Sequence, residues 1–260
     1  MDVAVTASYP SLKGRVAIVT GGGQGIGRGF SHFFAAHGAI PVIAELNGEN
    51  GRRVQREIEA KGGKALAVET DVGSKASVDA MAAAALKAYG RIDCLLNNAA
   101  VFSRITMAPF WELPVDEWER AMQVNINGAF YCSRAVVPAM QEAKWGRILN
   151  FTSGTVATGA PNYLHYITSK SAIRGMTRSM ARELGPWNIT VNTFLPGVTK
   201  TEVPRPSVTD EQFARFAEVQ CIHRLATIED SCKLMMFMCS DEAAFITGQI
   251  VQADGGLSFS

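Results

Sequence analysis

Three side chains near the middle of the chain have types and spacing suited to moving a proton. Tyr166 and Lys170 lie four residues apart, and Ser153 precedes the tyrosine by thirteen residues. Apolar residues recur at helical spacing after Tyr166, so we predict a helix that places phenol and ammonium on one face. A phenol with an ordinary pKa of about 10 is mostly protonated at neutral pH, and a neighbouring ammonium can lower that pKa enough for two-way proton exchange. Taken alone, such a pair is more often an exposed surface contact, and the rest of the chain must decide.

A glycine-rich turn near the N-terminus is the strongest binding signal. Gly21, Gly25 and Gly27 form the pattern TGxxxGxG directly after an apolar strand, although strict GxGxxG is absent. A strand, such a turn and a helix start direct backbone N–H groups and the helix dipole at a pyrophosphate. Glu45, about twenty residues further on, can accept hydrogen bonds from a ribose and repels a 2'-phosphate. Because Gln24 in the turn is not basic, we predict NAD(H) over NADP(H); a surface glutamate without a role is the alternative for Glu45.

The element pattern predicts the fold class. Short β-rich runs alternate with helix-length amphipathic segments, which favours α/β architecture: a single-domain Rossmann fold with a doubly wound, seven-stranded parallel sheet and helices on both faces. We predict one domain over residues 1–260, with an N-terminal tail (1–11) and a substrate lid (198–224). The predicted strands are Val16–Thr20, Ile40–Leu46, Ala65–Glu69, Ile92–Asn97, Arg147–Thr152, Thr190–Leu195 and Ile250–Ala253. The predicted helices are Gly27–His37, Asn50–Lys61, Lys75–Ala88, Val115–Glu142, Asn162–Leu184 and Glu229–Cys239, with a short helix starting at Thr209 inside the lid.

Composition argues against several classes of protein. A formal net charge of +1 with scattered basic residues gives no footprint for nucleic acid or a charged membrane surface. The chain shows no secretory signal and no apolar run long enough for a membrane span, so we expect a cytoplasmic protein. Five cysteines without CxxC and four histidines without HExxH fit reduced, buried thiols and no metal site.

Further motifs at ordered spacing make the chain resemble the short-chain dehydrogenase/reductase family from about Leu12 to the end. They are Asp71-Val72, Asn97-Asn98-Ala99-Ala100, Asn125-Ile126-Asn127-Gly128, Tyr166-Ile167-Thr168-Ser169-Lys170, Pro196-Gly197-Val198-Thr199-Lys200-Thr201, Thr247-Gly248 and Asp254-Gly255-Gly256. The family usually has glycine where this chain has Ala100, which puts the fine geometry of that turn in question.

The resemblance implies a role for each matching residue. Ser153 would hold and polarise the substrate oxygen, Tyr166 would act as acid and base, and Lys170 would bind the nicotinamide ribose and lower the tyrosine pKa. Asn125 would hold a water in a proton relay. A turn residue is the alternative for Ser153, and a bond to a kinked helix is the alternative for Asn125. Cofactor contacts are implied at Gly21, Gln24, Gly25, Ile26, Gly27, Glu45, Asp71, Val72, Asn98, Tyr166, Lys170, Pro196, Gly197, Thr199 and Thr201. A homotetramer is implied by the same resemblance, although a dimer stays open.

The expected substrate is a compact, hydrophobic secondary alcohol or ketone. Most of the predicted pocket wall is apolar or uncharged: Val101, Phe102, Gly154, Thr155, Val156, Tyr163, His165, Thr201, Val203, Phe213 and Phe216. One alternative is a 3-oxoacyl-thioester reductase, for which lid charges at Lys200, Arg205 and Arg215 could be cited. A cofactor-binding scaffold without catalysis is another, and a structural or interaction protein is a third.

Overall fold

The fold of the chain is built on one parallel sheet. We analysed a computed structural model, which describes residue 3 and residues 7–103, 105–204 and 208–259. Within these residues, seven strands pair in parallel in the order β3-β2-β1-β4-β5-β6-β7. The predicted doubly wound sheet is confirmed, and the strand order reverses between β1 and β4. The strands are β1 (Val16–Thr20), β2 (Ile40–Glu45), β3 (Leu66–Glu69), β4 (Cys94–Asn97), β5 (Gly146–Phe151), β6 (Ile189–Pro196) and β7 (Ile250–Ala253).

Helices cover both faces of the sheet, so the central strands β1, β4 and β5 are buried along their whole length. On β1, Ala17 and Val19 face a cluster that contains aromatic residues of α1 and methionines of α9, while Val16 and Ile18 face a cluster with residues of α3 and α5. This packing fixes the carboxyl ends of β1, β4, β5 and β6 at one edge. The helices are α1 (Gly25–Ala36), α2 (Gly48–Glu59), α3 (Lys75–Tyr89), α4 (Val115–Met122), α5 (Gly128–Ala143), α6 (Thr155–Thr158), α7 (Leu164–Leu184), α8 (Asp210–Val219) and α9 (Ile228–Cys239).

One predicted helix is divided in the structure. The sequence pattern predicts a continuous helix over Val115–Glu142, but α4 and α5 are separated by a π-helical turn at Gln123–Asn127. Such turns occur mostly as single insertions, frequently at functional sites. Helical periodicity alone could not show this turn, because the apolar spacing continues across it. Other boundaries shift by a few residues: α1 begins at Gly25 and not Gly27, and β4 begins at Cys94 and not Ile92.

The sequence also led to expectations about membrane spans, cysteines and metal sites. No helix in the described part of the chain is long and apolar enough to cross a membrane. All five cysteines are free thiols; four are buried as expected, but Cys221 is exposed, so that prediction is wrong at one position. No cluster of potential metal ligands occurs among the described residues. Parts of the predicted tail (1, 2 and 4–6) and lid (205–207, including Arg205) lie outside them.

Candidate active site

The helix α7 carries the predicted acid–base pair on its buried side. Tyr166 and Lys170 are 7% and 4% exposed, and the Lys170 ammonium lies 5.7 Å from the centre of the Tyr166 ring. The four-residue spacing therefore has the geometry expected of a helix. Burial at this depth shows that the pair is no exposed surface contact, so the sequence alternative for this pair is wrong.

Two hydrogen bonds tie Lys170 to the end of β5. Its Nζ donates to the Phe151 carbonyl at 3.0 Å, and the Thr152 hydroxyl donates to the Lys170 carbonyl at 2.9 Å. Burial lowers the pKa of Lys170 from 10.5 to about 8. The ammonium is therefore still mostly protonated at pH 7, at the sheet edge where Ser153 follows β5.

Ser153 is held in the loop between β5 and α6. Its Oγ accepts hydrogen bonds from the Thr155 hydroxyl at 2.9 Å and the Thr155 N–H at 3.3 Å. Since these contacts use Oγ as an acceptor, the Ser153 proton can be donated elsewhere. Ser153 is therefore a turn residue, as the alternative predicts, but its hydroxyl proton is still available to a ligand.

Asn125 projects from the π-helical turn into the interior. It is 3% exposed, its Oδ1 accepts from Val101 N at 2.8 Å, and its Nδ2 donates to Ser169 Oγ at 3.0 Å. Ser169 in turn donates to the Tyr166 carbonyl at 2.7 Å. Asn125 thus connects the segment after β4 to the first turns of α7. These hydrogen bonds go to a neighbouring loop and to α7, whereas the alternative for Asn125 predicted a bond to its own kinked helix.

Besides the Lys170 ammonium, Tyr166 has an aromatic neighbour, and the residue before it is a buried histidine. The rings of Phe102 and Tyr166 lie 4.5 Å apart at a tilt of 32°. His165 is 1% exposed, and neither of its ring nitrogens has a hydrogen-bond partner within the described ranges. Burial lowers the pKa of His165, an effect that the negative charge of Glu117 opposes only in part. The histidine is therefore neutral at pH 7.

Phe213 and Phe216, which lie in the predicted lid, differ in burial. Phe213 is 8% exposed and lies under the Lys200 ammonium, 5.7 Å from the ring centre. Phe216 is half-buried. The predicted helix start at Thr209 is confirmed by a reciprocal capping box with Gln212.

The glycine turn has the backbone that its sequence predicts. Gly21 and Gly25 adopt positive φ values of 62° and 53°, and a Cβ on Gly27 would lie 2.1 Å from the Gly21 carbonyl oxygen. Larger residues would not fit at Gly27 without displacing the backbone. The exposed Gln24 precedes α1 but makes no side-chain capping bond to it. The N–H groups at this helix start, to which the Gln24 side chain does not bond, can therefore donate hydrogen bonds to an anionic ligand.

Glu45 lies at the end of β2, beside this turn. It is 6% exposed, and its carboxylate accepts hydrogen bonds from Gly23 N at 3.0 Å and Asn47 N at 3.3 Å. From α2, Arg53 donates to the Gly23 carbonyl at 3.0 Å. Glu45 is therefore a buried residue with partners in the turn. The same turn is contacted by a basic side chain, Arg53, which the sequence did not indicate.

The remaining predicted cofactor positions lie in loops along the same edge. Asn98 Nδ2 donates to the carbonyls of Thr20 and Gly21 at 2.9 and 3.3 Å, which joins the ends of β1 and β4. Asp71 caps its own loop by accepting from Gly73 N at 2.9 Å, and Val72 is 7% exposed. Pro196 ends β6, and Gly197 N donates to the Ala253 carbonyl at 2.8 Å. Thr199 Oγ1 donates to the Gly197 carbonyl at 3.1 Å, and Thr201 lies beside Gly25. Ile26 is half-buried in the first turn of α1.

The replacement of glycine by Ala100 introduces no backbone strain. The non-glycine residues with positive φ in the described ranges are Lys144, Asn162 and Asn188, and Ala100 is exposed. The backbone at Ala100 therefore does not require glycine.

Sequence reasoning missed three residues that organise the site. Thr20 Oγ1 accepts from Ala99 N and donates to the Leu96 carbonyl. Ser169 links Asn125 to Tyr166, and Glu202 accepts from Gly25 N at 3.0 Å. Ser169 could have been found as a small polar residue three after Tyr166, on the buried face of the helix. Nothing in the sequence near Glu202 indicates its partner, which lies 177 residues away.

The chain is similar in sequence and fold to known oxidoreductases. The family model described as enoyl-(acyl carrier protein) reductase matches residues 21–258. A probable galactose dehydrogenase of Rhizobium meliloti is 34% identical over 97% of this chain and 98% of its own length, and 7alpha-hydroxysteroid dehydrogenase of Escherichia coli is 34% identical over 94% of each. The crystal structure of 3-ketoacyl-(acyl-carrier-protein) reductase from Brucella melitensis complexed with NADH superposes with a TM-score of 0.87 at 32% identity, covering 96% of this chain and all of that chain.

Proposed function

The chain belongs to the short-chain dehydrogenase/reductase family, and within it we propose an NAD(H)-dependent enzyme that interconverts hydrophobic secondary alcohols and ketones. Relatives named as dehydrogenases and reductases support the broader class, an oxidoreductase acting on CH–OH groups. The observation that carries the finer proposal is the buried Tyr166–Lys170 pair anchored to the end of β5, next to Ser153.

The chain's own residues would move the proton. In alcohol oxidation, Tyr166 takes the proton of the substrate hydroxyl, while Ser153 donates a hydrogen bond to the substrate oxygen. The buried Lys170 ammonium favours the phenolate, because opposite charges attract more strongly away from water. Asn125 positions α7 through Ser169, and in reduction the proton passes in the opposite direction.

The residues around the glycine turn fit a nicotinamide dinucleotide. The start of α1, where the N-cap residue Gln24 makes no side-chain capping bond, suits a pyrophosphate, and the Glu45 carboxylate suits the hydroxyls of an adenosine ribose. When bound, the cofactor supplies the redox chemistry by accepting or returning a hydride. The buried negative charge of Glu45 supports our preference for NAD(H), since it would repel a 2'-phosphate.

The substrate proposal depends on the uncharged groups near Tyr166, which lie beside the Lys170 ammonium. Phe102 presents an aromatic ring next to the phenol, and burial keeps His165 uncharged at pH 7. The Phe102 ring therefore favours a hydrophobic or aryl group beside the reacting carbon.

A second candidate, 3-oxoacyl-thioester reduction, is favoured by the named activity of the Brucella relative and of the reductase from Aquifex aeolicus. An acidic carrier protein would require free basic groups on the lid. Lys200 is paired with Asp210 at 2.7 Å, which reduces its value for such a partner. We therefore rank this activity second.

A substrate panel tests the proposal. Purified protein with NAD and aliphatic, aryl or steroid secondary alcohols should produce reduced cofactor, detected by its near-ultraviolet absorbance. A parallel reaction with a 3-oxoacyl thioester and NADH or NADPH tests the second candidate. Greater catalytic efficiency with the thioester would reject our ranking.

Tyr166→Phe provides the matched control, because it removes only the phenolic oxygen. We expect it to bind NAD as the wild type does while turnover falls by about two to four orders of magnitude, the usual contribution of a general acid–base group. Unchanged turnover would reject the role of Tyr166. Binding of NAD without turnover of any alcohol or ketone by the wild type would favour a non-catalytic scaffold.

A further inference from the structure

Glu202, in the segment between β6 and α8, contacts the start of α1. Its Oε1 accepts a hydrogen bond from Gly25 N at 3.0 Å and lies 3.8 Å from Arg28 Nη1. The neighbouring Val203 and Thr201 also approach this turn: a Cβ built on Gly25 would lie 3.2 Å from Val203 Cγ2 and 3.6 Å from Thr201 Oγ1. Residues 201–203 are therefore packed against the glycine turn, and the Glu202 carboxylate binds at the helix N-terminus.

The position of this carboxylate is where an anion is stabilised best. The first N–H groups of a helix lack intrahelical partners, and the helix dipole adds partial positive charge there. The side chain of the N-cap residue Gln24 accepts no hydrogen bond from these N–H groups. Glu202 supplies the missing acceptor from a different part of the chain, and a cofactor pyrophosphate would require the same N–H groups.

We propose that Glu202 is a built-in competitor of the dinucleotide: its carboxylate holds the start of α1 until a cofactor phosphate displaces it. This inference rests on the proposed function, since it assumes that the glycine turn binds the pyrophosphate. Cofactor binding would then separate Glu202 from Gly25.

The surrounding charges make such an exchange inexpensive. Arg28 also pairs with Glu57 through Nε at 2.9 Å, so it keeps a partner when Glu202 leaves. The Glu202 side chain is 45% exposed and can be rehydrated without crossing a buried region. Gly25 N would exchange one anionic oxygen for another, and no donor is left unpaired.

Affinity measurements with cofactor fragments test the competition. Glu202→Gln removes the charge but keeps an amide oxygen that can accept from Gly25 N. Glu218→Gln is the matched control, because Glu218 is an exposed residue of α8 and its replacement changes the net charge equally. The ligands are NAD, ADP and adenosine, titrated calorimetrically at low ionic strength.

We expect Glu202→Gln to bind NAD and ADP about two- to fivefold more tightly than the wild type, the effect of one charge at a helix terminus. Adenosine has no phosphate, so its affinity should not change. Glu218→Gln should match the wild type for all three ligands, and added salt should reduce the gain.

The other outcomes each overturn the proposal. Equal tightening for adenosine would mean that the lid hinders binding by its packing and not by its charge. Weaker binding of NAD would make Glu202 a supporting residue of the cofactor site, and unchanged affinities would show that the contact does not compete. These results with a wild type that binds and turns over NAD reject the inference alone, whereas a wild type that binds no dinucleotide rejects the proposed function as well.

Discussion

Replacing Lys170 by methionine tests the central electrostatic claim about the proposed site. Methionine keeps an unbranched side chain and removes the ammonium 5.7 Å from the centre of the Tyr166 ring. With an effective dielectric constant of about 20, two unit charges at that distance interact by about 3 kcal/mol. The phenolate form of Tyr166 would therefore be disfavoured about a hundredfold in the variant.

The size of the effect should depend on pH. Burial lowers the pKa of Lys170 to about 8, so the wild type carries the charge at pH 7 and loses it above pH 8. The ratio of wild-type to variant rates should be greatest at pH 6–7 and should decrease at pH 9–10. The decrease belongs to the coupled pair of Lys170 and Tyr166 and not to one group alone.

Single-turnover alcohol oxidation with saturating NAD is the suitable assay, because Lys170 is also expected to bind the nicotinamide ribose. Lys87→Met, at an exposed position of α3, controls for the change in net charge. Circular dichroism establishes that each variant is folded. If Lys170→Met at saturating cofactor and pH 7 stays within about threefold of the wild type, the electrostatic reasoning is refuted.

Three further predictions follow from the same contacts. Glu45→Ala should weaken the discrimination of NAD against NADP, measured as the ratio of the two kcat/KM values. Adding Arg53→Ala should reduce the NADP activity gained, because Arg53 is the basic group at Gly23. A wild type that uses both cofactors equally would contradict the proposed role of Glu45. Asn125→Ala should lower the free energy of unfolding by about 1–3 kcal/mol, because Val101 N loses its buried acceptor, and should lower kcat more than it raises KM; a normal kcat in a destabilised variant would contradict the positioning role. The folded-state pKa of Lys170, about 8, is below the unfolded value, so the unfolded chain binds more protons between pH 8 and 10. The free energy of unfolding should therefore rise with pH in this range, by at most about 1.4 kcal/mol per pH unit. Urea titrations measure the difference in this free energy between the wild type and Lys170→Met, and a difference that is constant or falls with pH would contradict the prediction.

The sequence by itself determined the order of the elements and most of the residues at the edge of the sheet. The apolar run of β1 and the helical spacing of Tyr166 and Lys170 are local patterns, so they can be recognised without knowledge of the tertiary structure. Parallel strands place their carboxyl ends at one edge, so residues that follow strands, such as Glu45 and Ser153, could be assigned to a common edge without coordinates.

Only the tertiary structure decided which groups meet at that edge. The π-helical turn that aims Asn125 at Val101 interrupts a periodicity that reads as one helix, and the burial that lowers the pKa of Lys170 comes from elements far apart in the chain. The bond from Gly25 to Glu202 joins residues 177 positions apart. Side-chain periods encode which face of an element is buried, but contacts between elements depend on how the folded layers pack, and that information does not reside in any local pattern.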